Sequence, residues 1–297
     1  MGKIHFPRTG GQQWVDSLYR FGIPTGDVRY VHSGGTSTGP GFSPETAYST
    51  IDAAISASTA DNDDAVVVLP DHTESVVGAA GIALDVAGVR VIGLGVGRNR
   101  PRITFATDTA ASLDISAARC SLENLVLING IDAQTAMVNV SAADVVVQDC
   151  EVQVGDGTTQ AVLGILTTAS ANRLIVRRNH FHGGGTAGVS SCVTLVGGDA
   201  IVIEDNVMVG AFATTGNIGN ITTAATMLTI RRNHLLNTTA DGNNKLIVLD
   251  GSTTGLIVHN AGGIIDSTGP APVTAAAAFV GGNHFSSAAG VTASVLM

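Results

Sequence analysis

Residues 174–183 read LIVRRNHFHG, residues 201–209 read IVIEDNVMV and residues 228–237 read LTIRRNHLLN. In each, a short apolar run leads into an asparagine: Asn179, Asn206 and Asn233, separated by 27 residues, with Asn260 in GLIVHNAGG a further 27 on. Adding Leu125 and Cys150 upstream gives one column with steps of 25, 29, 27, 27 and 27, and Leu94 precedes Leu125 by 31. A repeat of this length built from short strands is the signature of a solenoid whose every coil is one supersecondary unit. Identical positions then stack about 4.8 Å apart. The asparagines are expected to form a ladder at a bend, each amide bonding to its neighbours or to turn backbone, and Asn tolerates the left-handed backbone conformation that a bend can need. Alternation around the ladder puts Phe181, Met208 and Leu235 inside, together with Leu174, Val176, Ile201, Ile203, Leu228 and Ile230. His180, Val207 and His234 point out. Asn283-His284-Phe285 repeats the motif 23 residues after Asn260, which predicts a shortened final coil.

The remaining chain agrees with one repeating unit. Strand-like runs separated by Gly, Asn, Thr and Asp turns include VVVLP at 66–70, IALDV at 82–86, VRVIGL at 89–94, CSLENLVL at 120–127, DVVVQDCEV at 144–152 and RLIVRRNHF at 173–181. Each unit shows two readable strands and a less regular third portion. Leucine-rich repeats would need leucine at fixed offsets, and βαβ units an amphipathic helix in every repeat. The one helical candidate runs from Pro44 to Ser58, with Ser43 as cap, Pro44 at its first position and Ala47, Ile51, Ala54 and Ile55 as its apolar stripe. The chain therefore divides into a leader (1–30), an entry loop and capping helix (31–65) and a parallel β-helix (66–297). In the last, 271–297 is the final coil or cap and a subunit contact.

Composition narrows the function classes. Charged residues are 13% of 297, against roughly 25% in ordinary domains, so the surface is built largely from small polar and apolar residues and suits lateral packing in an assembly. A net charge of -9 argues against nucleic acid, whose phosphates need clustered Lys and Arg. No apolar run approaches the ~20 residues of a membrane span, and MGKIHFPRTGGQQW lacks the apolar core of a secretory signal. Cys120, Cys150 and Cys192 are too few for a disulfide scaffold, and the first two read as small core residues with reduced thiols. Trp14, Tyr19, Phe21 and Tyr30 gather in the leader, as an attachment segment or as a plug for one end.

VRYVHSGGTSTGPGFSPETAYSTIDAAIS at 28–56 followed by DDAVVVLPD at 63–71, placed ahead of these coils, resembles the entry segment of the right-handed parallel β-helix, or pectate-lyase-like, family. The resemblance covers roughly residues 28–290 and implies an all-β, single-stranded right-handed solenoid of about 8 coils with a short N-terminal capping helix. The entry combination is shared by virus and phage β-helix proteins and by polysaccharide lyases. The resemblance thus implies either a structural virion protein or a tailspike-like one that binds or cleaves polysaccharide.

Candidate chemistry is sparse. Acidic residues cluster at Asp144, Asp149 and Glu151, with Glu204 and Asp205 two coils on. In the coil alignment Asp149 falls in line with Arg178, Asp205 and Arg232, which reads as a ladder of ion pairs rather than a carboxylate pair for glycoside cleavage. His180 and His182 share a face, but His234 lies two coils, about 10 Å, from His180, too far for one ligand set. Arg98, Arg100 and Arg102 sit in a turn that could meet an acidic partner, although an ordinary solvated turn is the favoured reading. No Trp or Tyr follows residue 66 to serve as a sugar platform. The expectation is no catalytic, cofactor-binding or metal site and no cofactor. The chain is expected to be a non-enzymatic structural protein of a bacteriophage, a capsid decoration, vertex or fibre-like component on the virion surface, made in the host cytoplasm. Its partners would be copies of itself, as the trimer the family suggests, and capsid or portal/tail proteins, with neither nucleic acid nor membrane. The alternative is a tailspike-like depolymerase or receptor-binding protein whose glycan groove lies between subunits.

Overall fold

A computed structural model describes residues 24–287 except 37–38, 156–157, 184–188, 213–214, 221, 240–244, 266–272 and 275–276. Trp14, Tyr19 and Phe21 of the leader, and residues 288–297 of the expected subunit contact, lie outside the described residues. The chain winds as a right-handed parallel solenoid with three sheets of ten, nine and eight strands. Each coil gives one strand to the ten-stranded sheet, then one to the nine-stranded sheet, then one to the eight-stranded sheet. Every described strand pairing is parallel, for example Val146–Gln148 with Ile175–Arg177 and then Val202–Glu204. Parallel neighbours need a long crossover, and here the other two sheets are that crossover. The eight-stranded sheet holds one strand per coil, so about seven full turns separate its first strand from its last.

The runs that look like single strands in the sequence are two strands meeting at a corner. DVVVQDCEV contains Val146–Gln148 in the ten-stranded sheet and Glu151–Gln153 in the nine-stranded one, and LIVRRNHFH contains Ile175–Arg177 and His180–His182. The corner residue has φ near +55° in coil after coil: Asn124, Asp149, Arg178, Asp205, Arg232 and His259. The left-handed position is thus the residue before each ladder position, not the asparagine itself. Two further strands, Thr73–Val77 and Arg102–Ala106, complete the nine-stranded sheet at its N-terminal end.

The core runs along the axis between the sheets. Val66, Val91, Leu122, Val147, Val176, Ile203, Ile230 and Ile257 stack inward from the ten-stranded sheet, and all are buried. Phe181, Met208 and Leu235 face them from the nine-stranded sheet, fully buried as the alternation predicts, while His180, Val207 and His234 are exposed. Cys120, Cys150 and Cys192 are buried and unbridged. Burial pushes the Cys150 thiol up to about 12, which leaves it protonated and inert at neutral pH.

The entry segment differs from the expected single helix. Pro44–Thr46 is a 3₁₀ turn in which the Ser43 N–H donates to Thr46 Oγ1 (3.2 Å). Ala47 is extended, and the α-helix is only Ile51–Ser56. Its cap is Thr50, whose Oγ1 accepts from the Ala53 N–H (3.3 Å), with the Glu74 carboxylate accepting from the Ile51 N–H (3.0 Å). Ser43 and Pro44 start the turn, and the chain straightens at Ala47 to bury it with Val67 and Ile92 on the outer side of the ten-stranded sheet.

Candidate functional site

The ladder is the most regular polar structure in the molecule. Each asparagine Oδ1 accepts both the backbone N–H and the side-chain amide of the preceding ladder residue. The pairs Asn179–Asn206, Asn206–Asn233, Asn233–Asn260 and Asn260–Asn283 all lie at 2.9–3.1 Å. Each Nδ2 also donates to a corner carbonyl of the previous coil: Val147, Val176, Ile203, Ile230 and Ile257 in turn. All five side chains are buried, and every polar atom in the column has a partner inside the chain. The amides of Asn206, Asn233 and Asn260 are thus committed to their neighbours on both sides.

Above Asn179 the column changes to Leu125 and Cys150, which cannot carry this network. Arg100 ties these coils together at other carbonyls. Its Nη2 donates to Leu125 O (2.9 Å) and Asp149 O (2.7 Å), and its Nη1 stands 3.6 Å from Glu151. The expected solvated turn is therefore half right. Arg98 is exposed, but Arg100 is drawn under the corners of the next two coils. Asn124 adds a second bridge, its Nδ2 donating to Gly93 O (2.7 Å).

The acidic candidates resolve into two edges. Along the corner beside the ladder, Asp149 pairs with Arg178 (2.7 Å) and Asp205 with Arg232 (2.7 Å), each between adjacent coils. Glu204 accepts from Arg231 (2.7 Å) and Arg232 (2.9 Å). Asp144 lies on the opposite edge of the ten-stranded sheet, where Arg173 grips it at 2.6 Å. The Arg232 hydrogen bond holds Asp205 below the usual aspartate range, and Arg173 does the same for Asp144. A general acid needs its pKa raised toward neutrality; these carboxylates move the other way.

One row escaped the sequence reading. Two positions ahead of the ladder, Glu123, Gln148, Arg177, Glu204 and Arg231 stack in register on the outer face. Glu123 is 1% exposed and is surrounded by partners: Ser121 Oγ (2.5 Å), Gln148 Nε2 (2.8 Å) and Arg90 (3.3 Å). Counting back from Arg177 by 29 and then 25 residues would have found it, since the spacings are those of the ladder.

On the nine-stranded sheet, His182 Nε2 lies 3.3 Å from Glu151 Oε1, and the His180 and His182 rings are 5.6 Å apart. Val207 separates His180 from His234 in their shared row. Burial raises Glu151, but hydrogen bonds from Gln153 and His182 outweigh it, leaving its carboxyl below the usual range. Among the described residues no group of three or more His, Cys, Asp or Glu is placed to hold a metal ion.

No family model matches the chain, and no curated protein matches it in sequence. The solenoid is consistent with the pectate-lyase-like superfamily in general, whose members include structural proteins and enzymes.

Proposed function

We propose that the protein is a non-enzymatic structural component of a bacteriophage particle, a capsid decoration, vertex or fibre-like subunit carried on the virion surface as a homo-oligomer. One observation carries this reading. The carboxylates that could form a hydrolytic pair are spent on cross-coil bonds to arginine, from Asp149–Arg178 to Glu204–Arg231 and Asp205–Arg232. Each of these carboxylates is held by an arginine of the adjacent coil, and Arg232 keeps Asp205 below the usual aspartate range. What they do accomplish is mechanical: they tie each coil to the next along the outer corner, while the asparagine ladder does the same just inside. Three parallel sheets hydrogen-bonded along one axis, with polar columns stitching the corner, make a stiff rod suited to projecting from or bracing a particle. Its contacts with capsid or portal/tail proteins, and the trimer suggested by the resemblance, belong to the same proposal.

A density map of the whole particle tests it, with a reducing-sugar assay on host capsular or lipopolysaccharide glycans alongside. Density on the head lattice and no sugar release is the expected result. Release of oligosaccharide that disappears in Glu204→Gln or Asp149→Asn, with the protein at a tail tip, would replace this reading with the tailspike-like depolymerase.

A further inference from the structure

The nine-stranded sheet turns two imidazoles to solvent side by side. His180–His182 is one of its strands, and Phe181 between the two histidines is fully buried. Alternation along a strand therefore puts both histidines on the outer face. Their ring centroids are 5.6 Å apart, with the planes tilted by 50°. A zinc–imidazole bond of about 2.0–2.1 Å sets the ring centre about 3.2 Å from the metal, so two imidazoles at a tetrahedral angle stand about 5 Å apart. The strand already holds this pair close to that spacing. The carboxylate beside them decides which nitrogen is free. Glu151 is the register partner of His180 in the preceding coil, and its Oε1 lies 3.3 Å from His182 Nε2. An ionised carboxylate only accepts hydrogen bonds, so Nε2 carries the hydrogen and Nδ1 of the neutral ring keeps its lone pair. Glu151 is steadied in turn by Gln153 Nε2, which donates to Oε1 (2.7 Å), and by Arg100 Nη1, 3.6 Å from Oε2. Histidines that bind metal are ordinarily oriented by an outer carboxylate of this kind. Among the described residues neither ring nitrogen of His180 has a hydrogen-bond partner. On the far side, Val207 and Val209 are the register partners of His180 and His182, and their side chains bring no competing donor or acceptor.

We propose that His180 and His182 together chelate one divalent transition-metal ion, Zn²⁺ or a neighbour such as Ni²⁺ or Cu²⁺, with Glu151 as a positioning residue acting through His182. Neutral imidazole suits these ions, whereas Ca²⁺ and Mg²⁺ take oxygen ligands. The chain supplies two ligands and water completes the coordination sphere, so the ion exchanges freely with solvent. It is not needed for folding, because the strand is fixed by its parallel neighbours and by Phe181 in the core. The site is independent of the particle reading above and stands or falls separately from it.

Isothermal titration of the full chain, carrying no histidine tag, with ZnCl₂ at neutral pH tests it, with CaCl₂ run alongside. A single saturable Zn²⁺ site per chain is expected, with no heat from Ca²⁺, and saturating Zn²⁺ should raise Tm because it binds the folded state. His180→Ala and His182→Ala should each abolish the saturable heat and the rise in Tm. Their far-UV circular dichroism should match the wild type, because both side chains face outward. Glu151→Gln keeps the size of the side chain but offers His182 a weaker acceptor, and should weaken Zn²⁺ binding about tenfold. His234→Ala, two coils along the same row as His180, should bind Zn²⁺ as the wild type does, which separates this pair from the general run of surface histidines. A wild type with no saturable Zn²⁺ site, a site that survives either His180→Ala or His182→Ala, or one that vanishes with His234→Ala overturns the proposal. Unchanged affinity in Glu151→Gln overturns the role given to the carboxylate.

Discussion

At the scale of single residues, the corner shows how one amide replaces several partners. Asn206 accepts from the Asn179 N–H and Nδ2, and donates to Val176 O and Asn233 Oδ1. Asn206→Leu would reproduce the Leu125 end of the column but without the Arg100 bridge found there. It leaves the Asn179 N–H buried and unpaired and takes the amide donor from Val176 O, at about 1–3 kcal/mol for the orphan. A loss of about 3 kcal/mol or more is expected, read from the urea midpoint. The converse change is the sharper test. Cys150 occupies a ladder position whose backbone N–H already donates to Asn179 Oδ1 (2.9 Å), and its Sγ sits 3.8 Å from Leu122 O, the carbonyl that an asparagine amide would bond there. Cys150→Asn should extend the ladder by one rung and leave stability unchanged or raised by about 0.5–1.5 kcal/mol, the net worth of one hydrogen bond. A loss above about 2 kcal/mol would mean that Arg100 already fills that space.

Among the elements, Arg100 and the corner ion pairs each join strands of different coils, and they answer to different perturbations. Arg100→Ala strips the donor from Asp149 O, while Leu125 O keeps the Glu151 N–H (2.9 Å), and should cost about 1–3 kcal/mol. Asp205 and Asp144 behave otherwise. A carboxylate held below its ordinary range stabilises the fold above that range, and this contribution is lost as pH falls through its folded-state value. Stability should therefore decline below about pH 4, and Arg232→Gln should flatten that decline, as followed by urea midpoints from pH 7 to pH 2. Both partners are well exposed, so the effect is modest. The ion-pair ladder was legible in the sequence because Asp149, Arg178, Asp205 and Arg232 keep the period of the asparagines. Arg100 was not, because its partners are backbone carbonyls, which leave no mark in the side-chain pattern. The split of Pro44–Ser58 into a turn and a short helix was hidden for a related reason. Ala47 keeps helical spacing with Ile51 yet is buried on the other side of the ten-stranded sheet. The strands Thr73–Val77 and Arg102–Ala106 were missed because they mix polar and apolar residues at the rim, where one face meets water.

For the whole molecule, the period of 27 is a structural quantity and can be cut out. Removing residues 206–232 joins Asp205 to Asn233, a left-handed corner residue to a ladder asparagine, as in the native Arg232–Asn233 step. Every inward column then stays in register: Phe181 passes directly to Leu235, Val176 and Ile203 to Ile257, and the Asn179 N–H meets Asn233 Oδ1 in place of Asn206. Solenoid stability is close to a sum of coil and nearest-neighbour terms. The shortened chain should therefore fold cooperatively, with a denaturant slope lower by roughly a tenth, in proportion to the surface removed. Some stability is lost as well, because Glu204 and Asp205 lose Arg231 and Arg232 and face Val258 and His259 instead. Removing 26 residues rather than 27 shifts all later strands by one, turning inward side chains out and outward ones in, and should abolish the urea transition. Circular dichroism and urea titration of the two deletions separate these outcomes by a single residue. If both fold alike, the asparagine column is a passenger on the coils; if only the 27-residue deletion folds, the column sets their length.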